Sequence, residues 1–232
     1  MSAASMFSWR RSRGPQDQAR AVLEQAVARG SDLGDEGWHA NNVAQLGHLI
    51  ATRGDPDRGL ALLDQAWAGI QRTGFQNIKH LIRIMHAEAL LIRGSREDLQ
   101  EAVQTLQACI KETQMSRMLR SEILANSVLA LVHLAQDDVA AARECSDRAI
   151  DRLGSAGGRM PALRAEIVLL RHVEVLLAAG LVSTAEGYLR QAHAILLEKT
   201  RSLPQGEARD RFRSADSTYR RVEVLMNDRE LT

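Results

Sequence analysis

Aromatic residues are scarce in this chain: three Trp, two Tyr and three Phe make up 3% of its 232 residues. The 45% hydrophobic content, carried mainly by Ala and Leu, has to build its core from aliphatic helix formers, which argues against a β-sheet. Proline is rare as well. Of the four, one follows Gly54-Asp55 and one follows the Gly157-Gly158 pair, so they punctuate helical runs instead of breaking them. The two cysteines, Cys109 and Cys145, form no Cys-x-x-Cys spacing and read as small buried apolar residues, not as a disulfide or redox pair. No apolar run approaches the ~18 residues of a bilayer span, and the N-terminus lacks the apolar core of a secretory signal. These absences place the chain in the cytoplasm, away from membranes. Acids and bases nearly balance at a net charge of +1, so no global field draws the chain to nucleic acid or anionic lipid. The local exception is Arg10, Arg11 and Arg13 beside Trp9, which read as a flexible basic leader.

Catalytic motifs are missing too. The Gly154 to Arg159 stretch has neither the Lys nor the Ser/Thr that a phosphate cradle places after its glycines. His86/Glu88 and His172/Glu174 stand two apart, on different sides of a helix, whereas a metalloprotease helix needs two histidines four apart. Only Glu36/His39 has the Glu-x-x-His spacing that di-iron bundles use in pairs. No serine sits in a Gly-x-Ser-x-Gly elbow, and the seven histidines do not converge. The chain is therefore expected to hold no cofactor and no metal and to be non-catalytic.

What the chain does have is a repeat. A small residue, a mid-sized residue four places on and a second small residue three further on recur as Ala19/Leu23/Ala26, Gly59/Leu63/Ala66, Ala102/Leu106/Cys109, Ala142/Ser146/Ala149 and Ala185/Leu189/Ala192. Their first residues are spaced 40, 43, 40 and 43 apart, the range of stacked helical repeats. Small residues at i and i+7 share one helix face and let a neighbouring helix approach closely. Ala66, Ala149 and Ala192 are accordingly expected at buried helix crossings.

This pattern resembles the second-helix signature of tetratricopeptide repeats. In the first full repeat, Val43, Leu46, Gly47 and Ile50 fall where that family places an aromatic residue, Leu, Gly and Tyr, and Gly54, Asp55 and Pro56 make the turn. Later first helices depart from it: Ala87, Ala130 and Val173 fall near the glycine position. The period also exceeds the family's usual ~34 residues and looks like the elongated repeats in C-terminal regions of bacterial multidomain transcriptional activators and signalling ATPases. The stretch Arg209-Asp210-Arg211-Phe212, followed by Tyr219-Arg220-Arg221, is similar to the helices that close such arrays, with Arg213 where a Leu is usual. The resemblance implies an all-α, tetratricopeptide-like, right-handed α-solenoid of about four helical hairpins plus terminal capping helices, some ten helices in all.

The segmentation follows. Residues 1–15 form the leader, 16–205 the repeat domain and 206–232 the capping helices; an orphan second helix from Gln16 to Arg29 opens the array. The hairpins turn at Gly54, Gly94, Asp137 and Gly180, and the longest connection runs from Gly154 to Pro161.

In stacked hairpins the first helices line the inner wall. The places nine and six residues before each turn share a face, about 60° apart on a 3.6-residue helix. They hold Gln45 and His48, Met85 and Glu88, Ser127 and Ala130, Arg171 and Glu174. Gln45, His48, Met85, Glu88, Ser127, Arg171 and Glu174 are the candidate partner-binding residues, with Arg171 at one end of a groove and Gln45/His48 at the other. The same stripe also fits the solvated face of any amphipathic helix. The function expected is a protein-protein interaction scaffold or sensor, binding a protein or peptide along the concave face as the repeat portion of a bacterial regulator, with self-association left open. A helical-repeat RNA-binding protein and a helical enzyme with an unrecognised site are the alternatives, the near-neutral charge weighing against nucleic acid.

Overall fold

A computed structural model describes residues 15–32, 36–73 and 76–227. The leader and the tip of the Gly74 to Asn77 connection fall outside the described residues, apart from Pro15 and the backbone of Gln76 and Asn77. Among the described residues eleven helices follow one another: α1 (Pro15–Asp32), α2 (Glu36–Ala51), α3 (Pro56–Thr73), α4 (Gln76–Arg93), α5 (Arg96–Met115), α6 (Leu119–Ala135), α7 (Val139–Ser155), α8 (Ala165–Ala178), α9 (Val182–Ser202), α10 (Glu207–Ala215) and α11 (Ser217–Asn227). No strand occurs among the described residues.

The hairpins α2–α3, α4–α5, α6–α7 and α8–α9 turn where the sequence places them. Gly54, Gly94, Asp137 and Gly180 have φ of 94°, 76°, 61° and 72°. Left-handed backbone is open to Gly and tolerated by Asp, whose short side chain bonds locally. At three of these turns two crossed backbone bonds close the helix end, for example Asp138 N–H to His133 O at 2.9 Å and Asp137 N–H to Leu134 O at 3.1 Å. The following helix is then capped from within the turn: Asp138 accepts from Ala141 N–H, and Ser95 and Asp98 form a reciprocal capping box at the head of α5.

Small residues set the helix spacing. A Cβ on Gly59 would lie 2.6 Å from the Ala51 Cβ and 2.7 Å from the Gly47 carbonyl oxygen, so α2 and α3 meet backbone to backbone. The signature positions in α3, α5, α7 and α9 are sealed: Ala66, Ala149 and Ala192 are each no more than 1% exposed, and Leu63, Leu106 and Leu189 no more than 2%. The copy in α1 differs. Ala19 is exposed and Leu23 and Ala26 only half-buried, because α1 packs on α2 alone and touches α10, with no first helix of its own among the described residues. Cys109 and Cys145 are free and buried.

The hairpins stack through α3 on α4, α5 on α6 and α7 on α8, and α2, α4, α6 and α8 also touch in succession, forming an inner layer. The core runs unbroken along the stack, with Leu124 packed against both its halves. At the far end α11 lays Tyr219, Val222 and Leu225 on α8 and α9. The short, polar α10 buries no residue fully, stacks Phe212 edge-on against Tyr219 and reaches α1. The two ends of the solenoid therefore meet.

Candidate functional site

The inner layer brings most of the stripe together. His48 of α2 places Nε2 2.7 Å from Glu88 Oε2 of α4. The other Glu88 oxygen accepts from the Arg171 guanidinium of α8, which also donates to Ser127 Oγ of α6 at 3.4 Å. Four successive inner helices are thus tied by one polar chain. The third hairpin makes this possible: its stripe residues Ser127 and Ala130 are small and at most 2% exposed, so Arg171 passes over α6 to reach Glu88. Burial pushes the Glu88 carboxyl up, but the Arg171 guanidinium and the His48 ring outweigh it and hold the group at about 2. The arrangement is an ionised, largely self-satisfied cluster in which Glu88 and Arg171 are 15% and 17% exposed at their side chains.

The remaining stripe residues are placed differently. Gln45 is half-buried on α2, and Met85 packs against the core from α4. Glu174 stands apart from the cluster and accepts from Arg221 of α11 at 3.3 Å. The ends of the stripe, Arg171 and His48, which the sequence pattern sets at opposite ends of a groove, meet through Glu88. The pairings of Arg221 with Glu174 and of Arg164 with Asp216, the latter bonded at 2.5 Å between the head of α8 and the α10–α11 joint, carry no sequence signal, since they join segments about 50 residues apart.

Two constellations imitate catalytic sites. His80 Nδ1 lies 3.7 Å from Cys109 Sγ and 3.9 Å from Glu112 Oε2, and His172 Nδ1 lies 3.0 Å from Ser146 Oγ and 3.9 Å from Asp147. A relay needs the nucleophile and the orienting carboxylate on opposite nitrogens of the histidine ring; here both partners face the same one. Cys109 is fully buried and its thiol is pushed up to about 11 by desolvation, while burial lowers both histidines. Ser146 Oγ is already engaged with the Arg143 carbonyl, at 3.1 Å. These are packed polar groups of the core. Among the described residues no three His, Cys, Asp or Glu side chains gather as a metal site, and no helix is long and apolar enough to cross a membrane.

No family model and no curated protein matches the chain. Among solved structures, a Podosopora anserina protein described as a kinesin light chain with nearly identical TPR-like repeats superposes with a TM-score of 0.52. The match covers 80% of this chain and 90% of that one at 18% identity, and a single-residue variant of that protein gives the same values. The fold is that of TPR-like repeats. At this identity the likeness concerns architecture, with hairpins stacked so that first helices line one face.

Proposed function

We propose that this chain is a non-catalytic interaction module that receives a protein or peptide segment along its inner helices, as the repeat portion of a bacterial cytoplasmic regulator. The observation that carries the reading is the inner layer itself: α2, α4, α6 and α8 touch in succession, and the partly exposed His48, Glu88 and Arg171 are joined across it in one polar chain. Polar side chains already held in place by one another lose little freedom when a partner docks, which favours binding. The TPR-like fold supports the same reading, because such stacks expose a continuous inner surface.

A photo-crosslinking residue at Gln45 tests it against the same residue at Ala194, which is exposed on α9 away from the inner layer. In the source cell, Gln45 should yield a discrete crosslinked species absent from Ala194. Identical patterns from both positions would overturn the reading.

A further inference from the structure

The next hairpin shows which face of α1 stands without a partner. In α2–α3 a Cβ on Gly47 would lie 2.8 Å from the Gly59 carbonyl oxygen, 3.0 Å from the Leu62 Cβ and 3.2 Å from the Leu63 Cγ, so these three residues of the second helix receive the first. Counted from the signature copies, the same places of α1 are Ala19, Val22 and Leu23. Leu63 is sealed, whereas Ala19 is exposed, Val22 is 64% exposed and Leu23 is only half-buried. Ala19 lines a cavity of about 730 Å³ whose other apolar walls include Leu49 of α2 and Phe212 of α10. Where Gly59 meets a helix backbone, Ala19 thus meets open space.

The sequence directly before α1 carries the register of a first helix. Gly14 stands five places before Ala19, as Gly54 stands before Gly59 and Gly180 before Ala185, and Pro15 opens α1 as Pro56 opens α3. Eleven, ten, eight, seven and five places before its turn, α2 holds Val43, Ala44, Leu46, Gly47 and Leu49, of which only Leu49 is not fully buried, and all five places of α8 are buried as well. Before Gly14 those places hold Ala3, Ala4, Met6, Phe7 and Trp9. The places nine and six before the turn, taken in α2 by the partly exposed Gln45 and His48, hold Ser5 and Ser8. The match runs to Trp9 and stops at Arg10, which stands where α2 has the buried Ile50. We propose that the open face of α1 is the docking site of this chain's own segment before Pro15, which seats Met6, Phe7 and Trp9 on Ala19, Val22 and Leu23. An enclosed aromatic side chain buries on the order of 150–250 Å², enough for Phe7 and Trp9 to cover the face. Tethering favours the segment over a second copy of the chain, because docking within one molecule proceeds at a high effective concentration.

Cysteine pairs in the full chain test the seat. Phe7 and Val22 correspond to Gly47 and Leu62, whose Cβ separation of 3.0 Å is close to the ~3.5–4.5 Å of a disulfide. Under mild oxidation Phe7→Cys with Val22→Cys should form an intramolecular disulfide at least tenfold faster than Ser8→Cys with Val22→Cys, since Ser8 falls on the stripe side of the register; Cys109 and Cys145 are buried and stay out of the exchange. In the single variant Val22→Cys, iodoacetamide should react at least tenfold faster once Met6, Phe7 and Trp9 are replaced together by Ser. Equal oxidation rates for the two pairs, or alkylation unmoved by the three serines, overturns the proposal. Disulfides formed mainly between chains would put a second copy on the face and overturn it as well.

Discussion

Replacing Arg171 by Met keeps an unbranched stem over α6 but leaves the Glu88 carboxylate with the His48 ring and no guanidinium beside it. A buried charge that loses its partner costs about 3–5 kcal/mol, whereas a surface pair is worth ~0–1 kcal/mol. With Glu88 and Arg171 about one-sixth exposed, the site lies nearer the buried limit, and His48 at 2.7 Å retains part of the compensation. Arg171→Met should therefore destabilise the chain by about 2 kcal/mol, or roughly 4–8 °C for a domain of this length. The stripe pattern alone makes Arg171 a surface residue whose reversal to Glu is tolerated; beside Glu88 the same reversal sets two carboxylates together and costs more than the Met variant.

The sign of the pH dependence follows from Glu88. Its carboxyl lies at about 2 when folded against an ordinary 4.5, a difference of at most about 3 kcal/mol. A folded value below the unfolded one means that the stabilisation is complete above about pH 4.5 and is lost as pH falls toward 2. Urea unfolding followed by circular dichroism at pH 7 and pH 3 should show the gap between wild type and Arg171→Met shrinking at the lower pH. Equal stabilities at pH 7, or a gap that stays constant down to pH 3, would refute the reasoning.

Three further outcomes are expected. Gly59→Ala should lower the melting temperature sharply, by roughly 1–3 kcal/mol or more of overpacking against Ala51 and Gly47, while Gly187→Ala, with open space at its Cβ, should gain up to about 1 kcal/mol; similar shifts for the two would show that α2 and α3 do not meet at their backbones. Ala192→Leu, at 0% exposure, should cost about 1–3 kcal/mol, and Ala194→Leu on the exposed side about ±0.5 kcal/mol, as thermal melts will distinguish. Cys109 and Cys145, buried and with thiols raised by desolvation, should resist Ellman's reagent at pH 8 in the native protein and react at once in denaturant; prompt labelling of native protein would count against the buried placement.

The all-helical architecture was legible in the residues themselves. Ala and Leu at helical spacing, a signature returning every 40 to 43 residues, and Gly or Asp at each hairpin turn are local facts, and local backbone preference with one buried face per helix is enough to specify stacked hairpins. Burial of Ala66, Ala149 and Ala192 follows from the same periodicity. The candidate stripe was legible as positions but not as contacts. Periodicity places Glu88 and Arg171 on one face, yet their pairing, 83 residues apart in the chain, depends on how far each hairpin rotates on the last and on Ser127 and Ala130 leaving room above α6. The meeting of α10 with α1 and the Arg164–Asp216 bond arise the same way. Small rotations summed over the stack decide which distant side chains converge, and no single segment of sequence carries that sum.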